Sequence, residues 1–147
     1  MNMTNKDYSN LADRESAKSK SYINIPAAFV SGGLICVIGQ AFMNGYLALG
    51  VEKDVASSAA SCTLVFLSAL LTGFGVYDDI AKHAGAGTLV PITGFANSVV
   101  SPALEFKSEG MILGVGAKMF VIAGPVIVYG VLASVAYGLI AFGLGLY

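Results

Sequence analysis

Residues 27–49 run twenty-three positions without a charged side chain, and residues 56–77 run another twenty-two. A helix of about 20 residues rises about 30 Å, the thickness of the hydrocarbon core of a bilayer. A soluble domain of 147 residues cannot hide two such surfaces together with a third apolar run over 111–146. The composition agrees, with 56% of residues hydrophobic, 12% charged and a mean hydropathy of +0.75. The chain is therefore read as an all-α, polytopic membrane protein with room for one bundle and no separate soluble domain. Its net charge of -1 offers no basic surface for nucleic acid.

Residues 1–26 are expected to form a polar cytoplasmic tail with an interfacial helical turn, and 27–147 a single membrane domain. Four of the eight basic residues, Lys6, Arg14, Lys18 and Lys20, precede the first apolar run, which places the N-terminus inside by the positive-inside rule. That run is too long for a cleavable signal sequence and lacks a cleavage site at its end. Spans are expected at 27–49, with Pro26 in the first turn, and at 56–77, joined as a helical hairpin by the polar link at Glu52, Lys53 and Asp54. The last run is divided at Gly124 and Pro125 into a short embedded helix, 111–123, and a full span, 125–146.

Between these lies a segment that refuses to be one straight helix. Residues 85–99, "GAGTLVPITGFANSV", are apolar but broken by Gly85, Gly87, Pro91 and Gly94. Irregular backbone at membrane depth survives only where protein buries it or where it lines a water-filled cavity. A broken helix also aims its N-terminal N–H groups at anions without an ionised side chain. The segment 88–106 is therefore expected to be broken or re-entrant, with Gly85 and Gly87 letting backbone approach a solute, Thr88 as cap and Pro91 in the first turn. Thr93 and Gly94 follow at the turn, and Asn97, Ser101 and Glu105 continue one polar face. Pro91, Gly94 and Pro102 permit either a crossing or a return, so the side of the C-terminus stays open.

The flanking spans carry polar faces. Gly32, Cys36, Gln40 and Asn44 recur every four residues, and Ser57, Ser61, Ser68, Thr72, Gly75 and Asp79 form a second stripe. Such stripes serve helix packing, but paired amides such as Gln40 and Asn44 are costly against lipid and demand either water or a helix partner. Gln40, Asn44 and Thr72 are thus candidates for a solute path, with Asp78 at its mouth beside Asp79, Lys82 and His83. Gly130, Ser134 and Gly138 form a small-residue ridge, read as a helix-docking face. Lys118 either snorkels to the surface or faces an aqueous cavity.

Enzymatic chemistry finds no support. "VYD" at 76–78, "GAG" at 85–87 and "PAL" at 102–104 follow the order of intramembrane aspartyl protease signatures. The residue after the central glycines is Thr88, however, and the shared-proton carboxylate pair is missing. Cys36 and Cys62 have no metal-ligand or disulfide spacing, so neither catalytic residues, metal nor cofactor are expected.

Four stretches carry a family resemblance: "GGLICVIGQ" (32–40), "LLTGFGVYD" (70–78), "AGAGTLVPITGFANSVVSPALEFKSEG" (84–110) and "LGVGAKMFVIAGPVIVYG" (113–130). Together they resemble the SpoVAC/SpoVAEB membrane family. The chain departs from that pattern at Asp79, Phe106 and Lys118. The resemblance implies a multi-pass subunit of the spore inner membrane in an endospore-forming bacterium, partnered by other SpoVA-type membrane subunits. It also implies a channel role, taking up dipicolinic acid with calcium during sporulation and releasing it at germination. A non-conducting assembly subunit of the same complex is the alternative.

Overall fold

The computed structural model describes residues 4–15 and 20–146, and every regular element among them is helical. Helix α1, Asn5–Glu15, lies in the tail; Lys18 falls outside the described residues. The others are α2 (Ser21–Ala48), α3 (Lys53–Gly73), α4 (Val76–Ala84), α5 (Ala86–Leu89), α6 (Ile92–Glu105) and α7 (Ala117–Gly143). A 3-10 turn, Lys107–Glu109, and a π-turn, Met111–Gly116, precede α7. Three stretches are long and apolar enough to cross a membrane: Ser21–Ala48, Lys53–Gly73 and Met111–Gly143, with mean hydropathy of 1.8, 1.8 and 2.2.

Helices α2 and α3 form the expected hairpin. Gly50 at φ +83° lets Gly50 N–H reach Leu47 O at 3.0 Å and Val51 N–H reach Tyr46 O at 3.1 Å, the double bond that closes a helix at a left-handed residue. The Tyr46 hydroxyl lies 2.8 Å from Thr63 Oγ1 and ties the two helices together. Helix α2 starts six residues before the expected boundary, so Pro26 sits in its second turn. There its missing N–H costs only one bond near the polar end.

The second span begins three residues and ends four residues earlier than expected, taking in Lys53 and Asp54 of the expected link. Gly75 at φ +73° ends α3 after Gly73, and Tyr77 belongs to α4, a helix where only a polar junction was foreseen. A second positive φ, +54° at Gly85, separates α4 from α5. Pro91, extended at ψ 166°, separates α5 from α6.

The direction of α6 decides the topology. Ser68 Oγ donates to Thr93 O at 2.6 Å, and Thr72 Oγ1 lies 2.8 Å from the Asn97 side-chain amide. Both partners advance four residues together, so α6 runs parallel to α3. It begins one to two turns inside the C-terminal end of α3 and leaves beyond that end. Its 14 residues rise only about 21 Å, short of a crossing. The chain thus dips in through α5, turns at Val90 and Pro91, and returns through α6 to the end it came from. Lys118 Nζ lies 4.4 Å from the centre of the Phe106 ring. Pro102 shares a cleft with Val121 and Ile122, so α7 runs antiparallel to α6. With three helices long enough to cross and α6 returning to the end that α5 left, the start of α2 and the end of α7 lie at opposite ends of the bundle.

The final apolar run is not divided at Gly124 and Pro125, because α7 continues through both. Proline removes one backbone bond, a loss that membrane helices tolerate, and the irregularity falls instead in the π-turn at 111–116. The glycine roles also differ from expectation. A Cβ on Gly87 would collide with Ser31 Oγ and the Ala28 carbonyl of α2, and one on Gly94 with the carbonyls of Thr88 and Leu89. These two glycines approach the chain's own backbone rather than a solute. Gly130 and Gly138 have nothing within 4 Å, and Ser134 is exposed, donating to Gly130 O at 2.8 Å. No docking contact among the described residues uses the two glycines of that ridge. Accordingly, Gly87→Val and Gly94→Val are expected to abolish folded protein in detergent, whereas Gly130→Val and Gly138→Val keep the parental yield and thermal midpoint.

Candidate functional site

The most enclosed part of the molecule is the hairpin and what grips it. Its buried residues are small or hydroxylated: Ser68 is 1% exposed, Thr88 2%, Tyr77 5%, Thr93 7% and Thr72 8%. This is the expected chemistry of a core in lipid, where close backbone approach and hydrogen bonds, not apolar burial, hold helices together.

Tyr77 is the centre of the grip. Helix α4 turns back at Gly75 and carries the phenol under the hairpin, where it donates to Thr88 O at 2.8 Å and lies 3.1 Å from Thr93 Oγ1. The phenol is the donor toward both oxygens, its one proton shared between Thr88 O and Thr93 Oγ1. A single side chain thus bonds the last turn before the break and the first turn after it. From the other side Ser68 donates to Thr93 O, and Thr72 Oγ1 lies 2.8 Å from Ser68 O as well as from Asn97. Helix α2 completes the enclosure, with Ser31 Oγ 3.3 Å from Ala84 O and Gly32 in contact with Gly87. Among the described residues no buried side-chain N or O lacks a partner.

The structure therefore brings together Thr72, Gly87, Thr88, Thr93, Gly94 and Asn97 from the sequence-predicted set. Thr88 is not a cap; it lies within α5 and donates to Gly85 O at 3.1 Å. Pro91 takes the position before α6, which has no side-chain cap. Ser101 is half-buried and Glu105 exposed further along α6, while Asp78 and Gly85 lie exposed at the hairpin mouth. There Lys82 Nζ donates to Asp79 Oδ1 at 2.8 Å. That bond, and then the partner's opposite charge, holds the Asp79 carboxyl below its ordinary range and the Lys82 ammonium above its own. His83 Nδ1 lies 3.0 Å from Asp79 O. Gln40 and Asn44 stand apart, exposed on α2, with Gln40 Nε2 donating to Asn44 Oδ1 at 2.9 Å.

Sequence reasoning missed Tyr77, and its position just past a glycine break beside a hydroxyl-rich segment was the available signal. No group of three potential metal ligands occurs among the described residues.

Residues 24–140 match the family described as SpoVAC/SpoVAEB sporulation membrane protein. The chain belongs to that family. It is similar to stage V sporulation protein AC of Bacillus subtilis (strain 168), with 48% identity over 141 residues, covering 90% of this chain and 94% of that protein. No solved structure matches. The family region contains the whole hairpin and its grip from α2, α3 and α4.

If Tyr77 holds the hairpin, Tyr77→Phe and Thr93→Val should each cost about 1–2 kcal/mol, read as earlier denaturant unfolding in detergent. Asp78→Asn, at an exposed position, should stay within about 0.5 kcal/mol of the parent.

Proposed function

We propose that the chain is a channel subunit for dipicolinic acid, carried with calcium, in the forespore or spore inner membrane. It works with other SpoVA-type membrane subunits in uptake during sporulation and release at germination. The observation that carries this reading is the start of α6. It lies beside Ser68, one to two turns inside the C-terminal end of α3, and has no side-chain cap. Leu89 and Val90 beside it are 70% and 84% exposed. The Gly94 and Phe95 N–H groups bond to Pro91 O, which leaves those of Ile92 and Thr93 to carry the partial positive charge of a helix start. Placed at depth, they attract a carboxylate without an ionised side chain that would retain it.

Dipicolinate is a flat aromatic dianion, and calcium cancels much of its charge. A weakly polar path with a backbone dipole at its narrowest part suits such a solute. Most polar side chains of the hairpin bond to one another, so the path would run along the outer side of the hairpin, between this chain and its neighbours. The same internal bonding favours the second reading, a non-conducting assembly subunit.

The test is flux. Liposomes holding the chain with its family partners and loaded with dipicolinate should release it to external terbium, read as luminescence. Ile92→Asp, which sets a carboxylate at the first position of α6, should slow release about tenfold, near 1.4 kcal/mol, while Ile92→Asn should not. Liposomes as tight as protein-free ones would leave the assembly reading.

A further inference from the structure

Helix α2 is 28 residues long, and none of them is buried. It meets α5 through Ala28, Ser31 and Gly32, α4 through Ser31, and α3 through Gly39 and Tyr46. Ile35, Phe42 and Met43 are half-buried on the same side, with Gln40 at the edge of a cleft shared with Ser57 and Ser61 of α3; the other side is open. Most of that surface is apolar and needs only lipid. One strip is different. Phe29, Gly33, Cys36, Gln40, Asn44 and Leu47 follow at intervals of four, three, four, four and three residues. At about 100° per residue they stay within a strip about 80° wide, and all six are exposed.

The amides in this strip are incompletely bonded. Gln40 spends one N–H on Asn44 Oδ1. Its carbonyl, its second N–H and both N–H groups of Asn44 have no partner among the described residues. Gln40 lies thirteen residues from the start of the apolar run and nine from its end, so headgroup water is out of reach and lipid offers nothing in return.

We propose that two copies of the chain pair through this strip, with α2 beside α2 and the amides bonded across a two-fold axis. Copies of one chain insert with the same topology, so a two-fold axis relating them runs along the membrane normal, and residues near it meet their counterparts at equal depth. That geometry selects side chains that can bond to themselves. A primary amide carries donor and acceptor together and qualifies, whereas a carboxylate or an ammonium would not. The four-and-three spacing is that of helices crossing at a shallow left-handed angle. Gly33, with nothing within 4 Å of an added Cβ, lets the backbones approach. Beside the strip, Phe29, Cys36, Val90 and Pro91 border an open cleft of about 410 Å³, room for the second copy's Phe29. The two re-entrant hairpins then flank the seam. The pairing stands whether or not the chain conducts.

Cys36 provides the test, since counterparts near the axis face each other. Full-length Cys62→Ser protein, whose sole cysteine is then Cys36, is oxidised in its membranes and after purification in mild detergent. The expected product is a species of twice the chain mass in both preparations. A protein carrying Cys36→Ser, Cys62→Ser and Val30→Cys, with its cysteine about 120° around α2 from Cys36, should give far less. Gln40→Leu with Asn44→Leu should reduce the Cys36 product several-fold, while the protein remains monodisperse. The proposal is overturned if Cys36 stays monomeric although maleimide labels it fully, if it joins only to a different subunit, or if residue 30 cross-links equally well. It is also overturned if the double leucine variant cross-links like the parent.

Discussion

A helix interrupted at membrane depth leaves backbone groups that lipid cannot satisfy, and the rest of this structure is arranged around that constraint. The interruption at Val90 and Pro91 is tolerable because the chain supplies its own polar solvent. Tyr77 reaches Thr88 O and Thr93 Oγ1, Ser68 reaches Thr93 O, and Thr72 meets Asn97. Each bond pins one side of the break. Without them the hairpin would have no reason to remain parallel to α3, since its apolar side chains gain nothing by leaving lipid for protein.

The same constraint explains the glycines. The hydroxyl groups bond only if the helices approach closely, and Gly87 against α2 and Gly94 against the preceding turn allow that approach. Helix α7, by contrast, leans on α6 and carries glycines, Gly130 and Gly138, with open space for a side chain among the described residues. One region is tightly specified and bonded; the other is a crossing helix with much of its surface open. Function is best sought where the tight region ends, at the uncapped start of α6 and the incompletely bonded amides of α2.

Much of this was legible in the sequence, and the remainder was hidden for physical reasons. Uncharged runs reveal spans, so α2 and α3 were clear within a few residues. Gly and Pro reveal that backbone is interrupted, so the break near 85–91 was anticipated. Four-residue spacing reveals a polar face, and Thr72 and Asn97 lie on such faces. What spacing does not reveal is which neighbour a face meets. Gly94 and Gly138 have comparable local surroundings in sequence, yet one is enclosed by carbonyls and the other has empty space, a difference set by tertiary approach alone. Pro125 looked like Pro91, but it lies within a crossing helix that keeps its course. The role of Tyr77 depended on α4 turning back beneath the hairpin, which no local pattern records.

The central claim is that residues 85–105 enter the membrane and return to the same face, and a depth profile tests it most directly. Single spin labels placed in turn from residue 84 to 106, in reconstituted bilayers, report depth through collision with oxygen against a water-soluble nickel chelate. One maximum of depth is expected at residues 89–91, with accessibility to the nickel chelate rising on both sides. A label near 106 should then be quenched only by chelate on the face that also reaches residue 84. A profile that deepens to the middle of the segment and emerges on the opposite face would contradict it.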